Sequence, residues 1–113
     1  MQIVRASPDH ARIPTRIAFA AKRHWGYPER WIKYWSDSLT IAPEFARSNE
    51  VYASAAGAKT VGFYALVGEA SEVEFEHLWV LPESIGARVG RTLFDRALKT
   101  AVVKIEADPQ AEG

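Results

Sequence analysis

EVEFEHLWVLPESIGARVGRTLFDRALKTA, residues 72–101, changes its period partway along and decides the fold. From 72 to 80 the chain alternates, which predicts a strand with Glu72, Glu74 and Glu76 on one face and Val73, Phe75, His77 and Trp79 on the other, unless a bulge reverses the alternation. Pro82 ends that run, and Gly86 and Gly90 punctuate the loop that follows. Val89, Leu93, Ala97 and Ala101 then recur every fourth residue beside Phe94 and Leu98, which predicts an amphipathic helix from Arg88 to about Ala101. A strand running through a glycine-bearing loop into a helix puts free backbone N–H groups and the positive end of a helix dipole at the strand's C-terminal tip. That arrangement suits a phosphorylated ligand. Gly86 and Gly90 would let the backbone approach such a ligand, and Arg88 and Arg91 would add charge-assisted hydrogen bonds. By itself the glycine spacing is a weak signal.

Working outward, Val51–Ala55 and Thr60–Leu66 read as two further strands, with turns at 56–58 and 68–71 short enough for antiparallel hairpins. Upstream, Gln2–Ala6 is a short first strand, and Ser7-Pro8-Asp9 offers a cap with proline at the first helical position. Pro14 breaks or restarts that helix, which carries Ile13, Ile17 and Ala21 as a narrow apolar stripe. Gly26-Tyr27-Pro28 separates it from a second helix with Trp31, Ile32, Trp35 and Leu39 on one face, and Pro43 opens a further helical turn. Downstream, the β-branched run Val102-Val103-Lys104-Ile105-Glu106 reads as a last strand, placed by a right-handed crossover parallel to 72–80. Asp108-Pro109 looks like the opening of one more helix.

A chain of 113 residues with 48% hydrophobic and 25% charged residues reads as one globular α/β domain spanning 1–113. Fourteen basic residues balance fourteen acidic ones, so no global field draws the protein toward nucleic acid or a membrane. Cysteine is absent and the three histidines lack ligand spacing, so no metal site is expected. A cytoplasmic location is the default expectation.

The runs Val61-Gly62-Phe63-Tyr64-Ala65-Leu66, Glu76-His77-Leu78-Trp79-Val80-Leu81-Pro82-Glu83 and Ile85-Gly86-Ala87-Arg88-Val89-Gly90-Arg91 resemble the GNAT N-acetyltransferase superfamily, as do His24-Trp25-Gly26-Tyr27 and residues 105–113. The resemblance covers essentially the whole chain in element order. It implies a mixed sheet, β1-α1-α2-β2-β3-β4-α3-β5, whose fourth and fifth strands splay apart around acetyl-CoA, with the usual C-terminal helix and closing strands lacking. It implies that main-chain groups of Leu78, Trp79 and Val80 pair with the pantetheine arm, and that Gly86, Ala87, Arg88, Val89, Gly90, Arg91 and Thr92 surround the pyrophosphate. The sequence departs from the family pattern in one place. Family members usually show Arg or Gln, two residues, Gly, one residue, then Gly or Ala; here Ile85 and Arg88 occupy the first two fixed positions, and Gly90 fits the last.

The reaction the resemblance implies is acetyl transfer from the thioester to a small amine, with acetyl-CoA as donor. Glu76 is the first choice of general base, acting through water, and His77 the second. His24, Trp25, Tyr27 and Tyr64 would line the acceptor side, and a displaced Tyr64 or Tyr27 is the fallback acid for the leaving thiolate. Trp31 and Trp35, four residues apart, read as core packing. The alternative is a shortened GNAT-like domain that binds CoA, or associates with itself, without turnover. An apolar strand edge at 102–106 would invite a homodimer.

Overall fold

The computed structural model describes residues 1–69 and 72–106. Strands β1 (Gln2–Arg5), β2 (Glu50–Ala56), β3 (Lys59–Glu69) and β4 (Glu72–Val80) form a sheet in that order. Every neighbouring pair is antiparallel. Helices α1 (Arg12–His24), α2 (Glu29–Tyr34), α3 (Ser36–Leu39) and α4 (Pro43–Ser48) lie between β1 and β2, and α5 (Val89–Glu106) follows β4. The expected first break is real. Pro8–His10 forms a 3-10 turn capped by Ser7, whose hydroxyl accepts from the Asp9 N–H, and α1 restarts at Arg12. Pro14 falls in its first turn, where a missing N–H costs no helical hydrogen bond. The second expected helix is two, divided at Trp35.

The sheet separates two cores. On one face Ile17, Ala18, Leu39, Ile41 and Ala46 pack on Val51, Phe63 and Ala65; on the other, Leu93 and Ala97 of α5 pack on Tyr64 and Leu66. Gly62 sets how closely α5 approaches. A Cβ there would stand 2.8 Å from Leu93 Cδ1 and 3.0 Å from the Trp79 carbonyl oxygen. The helix therefore rests directly on the β3 backbone, and its first turn is fixed beside the end of β4.

Two expectations are corrected. Residues 102–106 are not a strand, and the described sheet is antiparallel rather than mixed. No glycine or proline separates Leu98 from Glu106, so extending α5 costs less than starting a new element. Ala101 continues the packed stripe, and Lys104 Nζ reaches Glu50 Oε1 at 3.7 Å. The apolar edge expected at 102–106, and the homodimer through it, therefore have no strand to use. The helix opening at Asp108-Pro109 lies outside the described residues.

Gly62→Val should cost about 2 kcal/mol of unfolding free energy by overpacking, read from urea unfolding. Val103→Ala should be neutral or slightly stabilising, because Val103 is exposed on a helix and alanine is the better helix former; a strand at this position would lose stability instead.

Candidate functional site

β4 carries one residue more than β3 opposite it. Ala65 pairs with His77 and Leu66 with Phe75, leaving Glu76 as the extra, bulged residue. The bulge reverses the face alternation. Val73, Leu78 and Val80 pack with α5, and Phe75 stacks on Phe94 at 5.6 Å. His77 and Trp79 turn to the opposite face, where His77 lies edge-on to Phe45 at 6.0 Å and tilted against Phe63 at 5.9 Å. Glu76 itself is exposed. The far edge of β4 pairs with no strand among the described residues.

Beyond β4, Pro82–Ser84 makes a 3-10 turn, anchored by the Leu81 N–H donating to the Val61 carbonyl at 2.8 Å and by Lys59 Nζ donating to Glu83 Oε2 at 3.2 Å. A backbone hydrogen bond and then the Lys59 contact hold the Glu83 carboxyl below its ordinary range. Gly86 has φ +92 and Arg88 φ +63, both in the left-handed region. Arg88 is the one described non-glycine residue there. A side chain at that φ is strained, so the loop holds the backbone shape a glycine would adopt freely although the residue is arginine. The Arg88 carbonyl accepts from the Thr92 N–H at 3.0 Å and from Thr92 Oγ1 at 2.9 Å. Among the described residues no backbone carbonyl receives the N–H groups of Gly86, Arg88, Val89, Gly90 or Arg91. Gly86, Arg88, Gly90 and Arg91, with Val80 and Ile85, line a cleft of about 330 Å³. Space around Gly86 is clear, with nothing within 4 Å of a Cβ built there. Arg88 and Arg91 are exposed, and Arg91 Nε lies 3.6 Å from Asp95 Oδ2. N–H groups without a backbone acceptor, two guanidinium groups and a helix N-terminus form a site suited to a diphosphate.

No family model matches the sequence, and no curated protein does. Solved structures match in three dimensions. The PaiA N-acetyltransferase of Thermoplasma acidophilum, in complex with coenzyme A, superposes with a TM-score of 0.78 at 22% identity over 91% of this chain and 72% of its own. The chain has the GNAT fold. A GCN5-related N-acetyltransferase from Rhodopseudomonas palustris gives a TM-score of 0.72 at 22% identity over 90% of this chain and 66% of its own. A Mycobacterium tuberculosis protein solved with CoA gives 0.58 at 18% identity over 90% of this chain and 58% of its own.

Within this GNAT fold the residues picked from sequence fall into separate groups. Val80, Gly86, Arg88, Gly90 and Arg91 line one cleft where β4 meets α5, with Leu78 packed on the α5 side and the Trp79 side chain on the opposite face. Glu76 and His77 lie along the same strand. Tyr64 stands apart. It is fully buried under α5, stacked on Tyr52 at 5.4 Å, with its hydroxyl 2.9 Å from Thr100 Oγ1. Burial raises its pKa, opposed by the Thr100 hydrogen bond. His24, Trp25 and Tyr27 are exposed at the α1–α2 turn, on elements that cover the other face of the sheet. The structure therefore does not bring Tyr64 together with His24, Trp25 and Tyr27. Trp35 packs against the core as expected, but Trp31 faces outward and Ile32 is the buried residue of α2.

His77 has a defined proton. Trp79 Nε1 donates to His77 Nδ1 at 3.0 Å. An indole N–H only donates, so Nδ1 keeps its lone pair and the neutral ring carries its proton on Nε2. Burial lowers the His77 pKa, with the Glu76 carboxylate pulling the other way. In its neutral form His77 therefore presents a donor at Nε2.

Arg88→Gly should raise unfolding free energy by about 1 kcal/mol, because glycine removes the left-handed strain. His77 should titrate by NMR below the ordinary value near 6.5. The unfolded chain then binds more protons just below that pH, so stability falls as the solution is acidified through about 6.5 and the loss levels off beneath the folded pKa. Trp79→Phe, which removes the bond to the neutral ring, should move the titration upward.

Proposed function

We propose that this chain is a GNAT-type N-acetyltransferase domain that takes acetyl-CoA as donor and a small amine as acceptor. The observation that carries the reading is the loop before α5, with five unengaged N–H groups and a left-handed backbone at Gly86 and Arg88. It is supported by structural neighbours that hold coenzyme A. The free edge of β4 offers main-chain partners to an extended amide-bearing arm, and the loop offers donors to the diphosphate at its far end. Arg88 adds its guanidinium to that site from the position where the family pattern has glycine.

In the reaction, the acceptor nitrogen attacks the thioester carbonyl, the C–N bond forms, the C–S bond breaks, and the ammonium proton leaves. Glu76, exposed on the bulge, takes that proton through water. Nε2–H of His77 is a hydrogen-bond donor on the neighbouring residue. A β-bulge supports this division of roles, because it places two consecutive residues of the strand against one on its neighbour.

A second reading has a specific observation behind it. Tyr64 is locked to Thr100 on the α5 side, and Tyr52 is stacked on it. The buried Tyr64 hydroxyl is therefore not free to protonate a departing thiolate, which favours a CoA-binding domain of low turnover.

Thermal unfolding with acetyl-CoA, followed by thiol release with amine acceptors, separates these readings. Saturating acetyl-CoA should raise the midpoint. Glu76→Gln should keep that rise and lose roughly 100-fold or more in thiol release. A midpoint rise without thiol release from the unsubstituted chain would select the second reading, and no rise would overturn both.

A further inference from the structure

The even balance of charge across the whole chain conceals a local separation. Residues 22–34 hold Lys22, Arg23, Arg30 and Lys33 against one carboxylate, Glu29. Arg23 neutralises that carboxylate, with Nη2 donating to Oε1 at 2.7 Å and Nε at 3.1 Å. Among the described residues neither Arg30 nor Lys33 has an anionic partner. The same short stretch exposes Trp25 at 69%, Tyr34 at 83% and Trp31 at 45%. Tyr27, Trp31 and Trp35 touch one another with ring centres 5.0–6.0 Å apart. Their arrangement already engages a cation, since Lys22 Nζ lies 4.1 Å from the Trp35 ring and 4.9 Å from the Tyr27 ring.

The geometry points to this α1–α2 tip as a docking surface for anionic lipid headgroups, a peripheral membrane contact separate from the proposed acetyl-CoA corner. Three observations favour that occupant. An open cleft of about 460 Å³ is lined by Arg30, Trp31, Tyr34 and Trp35, and the still more exposed Trp25 is not among its walls. A small molecule filling the cleft would leave that indole in water, whereas an extended surface is not confined to the cleft. Lys22 already covers aromatic faces within the cluster, so a cationic ligand would meet like charge. Indole and phenol rings interspersed with lysine and arginine also match the headgroup layer, where the amphipathic ring sits at the boundary and the cation meets phosphate.

Sedimentation of the full chain with phosphatidylcholine vesicles, and with vesicles containing an equal part of phosphatidylglycerol, tests this. Binding should require phosphatidylglycerol, blue-shift tryptophan emission, and weaken at high salt. Arg30→Glu and Lys33→Glu should each lower the partition coefficient roughly fivefold or more, as expected when a juxtamembrane cation is removed. Trp25→Ser with Tyr34→Ser should lower it further. All four side chains are exposed, and an unchanged thermal midpoint confirms that each variant is folded. No sedimentation with anionic vesicles, equal binding to both vesicle types, or binding indifferent to these substitutions would overturn the proposal. So would retention by a single-stranded RNA with none by vesicles, which would assign the surface to nucleic acid.

Discussion

Contact between α5 and the β3 backbone at Gly62 is the constraint on which the rest of the site depends. Leu93 and Val89 lie where a side chain at position 62 would be. The helix axis is thereby held close to the sheet, and its N-terminus comes down at the tip of β4. With a larger residue at 62 the helix lifts, and the loop of free N–H groups moves away from the strand. One glycine in the middle of a strand thus determines the geometry of a corner more than twenty residues later in the chain.

The second determinant is the bulge at Glu76. A strand alternating without interruption would place Phe75, His77 and Trp79 together. The extra residue instead gives Phe75 to α5 and His77 to the helical layer containing Phe45. The consequence is chemical as well as geometric. His77 enters an apolar setting whose burial lowers its pKa, and Trp79 claims its Nδ1 lone pair. Glu76 remains exposed beside it. Two adjacent titratable residues acquire different surroundings because one of them, Glu76, is the extra residue that turns His77 to the opposite face.

Much of this was legible in the sequence. The 72–80 alternation gave the bounds of β4, the glycines and Pro82 marked the loop, and the four-residue spacing from Val89 located α5. The failures have physical causes. Val102, Val103 and Ile105 carry strand propensity, but a helix already running with no breaker in its path overrode it, aided by Ala101 packing and the Lys104–Glu50 contact. The bulge left no trace in residue type, since register is settled between two strands rather than within one. Trp31 read as core by its spacing from Trp35, yet Ile32 took the buried position. Tyr64 read as lining the acceptor side, and only tertiary packing with Thr100 and Tyr52 shows that it is committed elsewhere. Arg88 departed from the family pattern in identity while its backbone kept a left-handed conformation, a fact no residue letter carries.

The central claim is that the loop before α5 still grips a diphosphate with arginine at position 88. Amide-resolved NMR titration of the chain with coenzyme A tests it most directly. The N–H resonances of Gly86, Arg88, Val89, Gly90 and Arg91 should move together and saturate with a single affinity. Resonances that stay fixed at saturating ligand, or shifts confined to other parts of the chain, would contradict it.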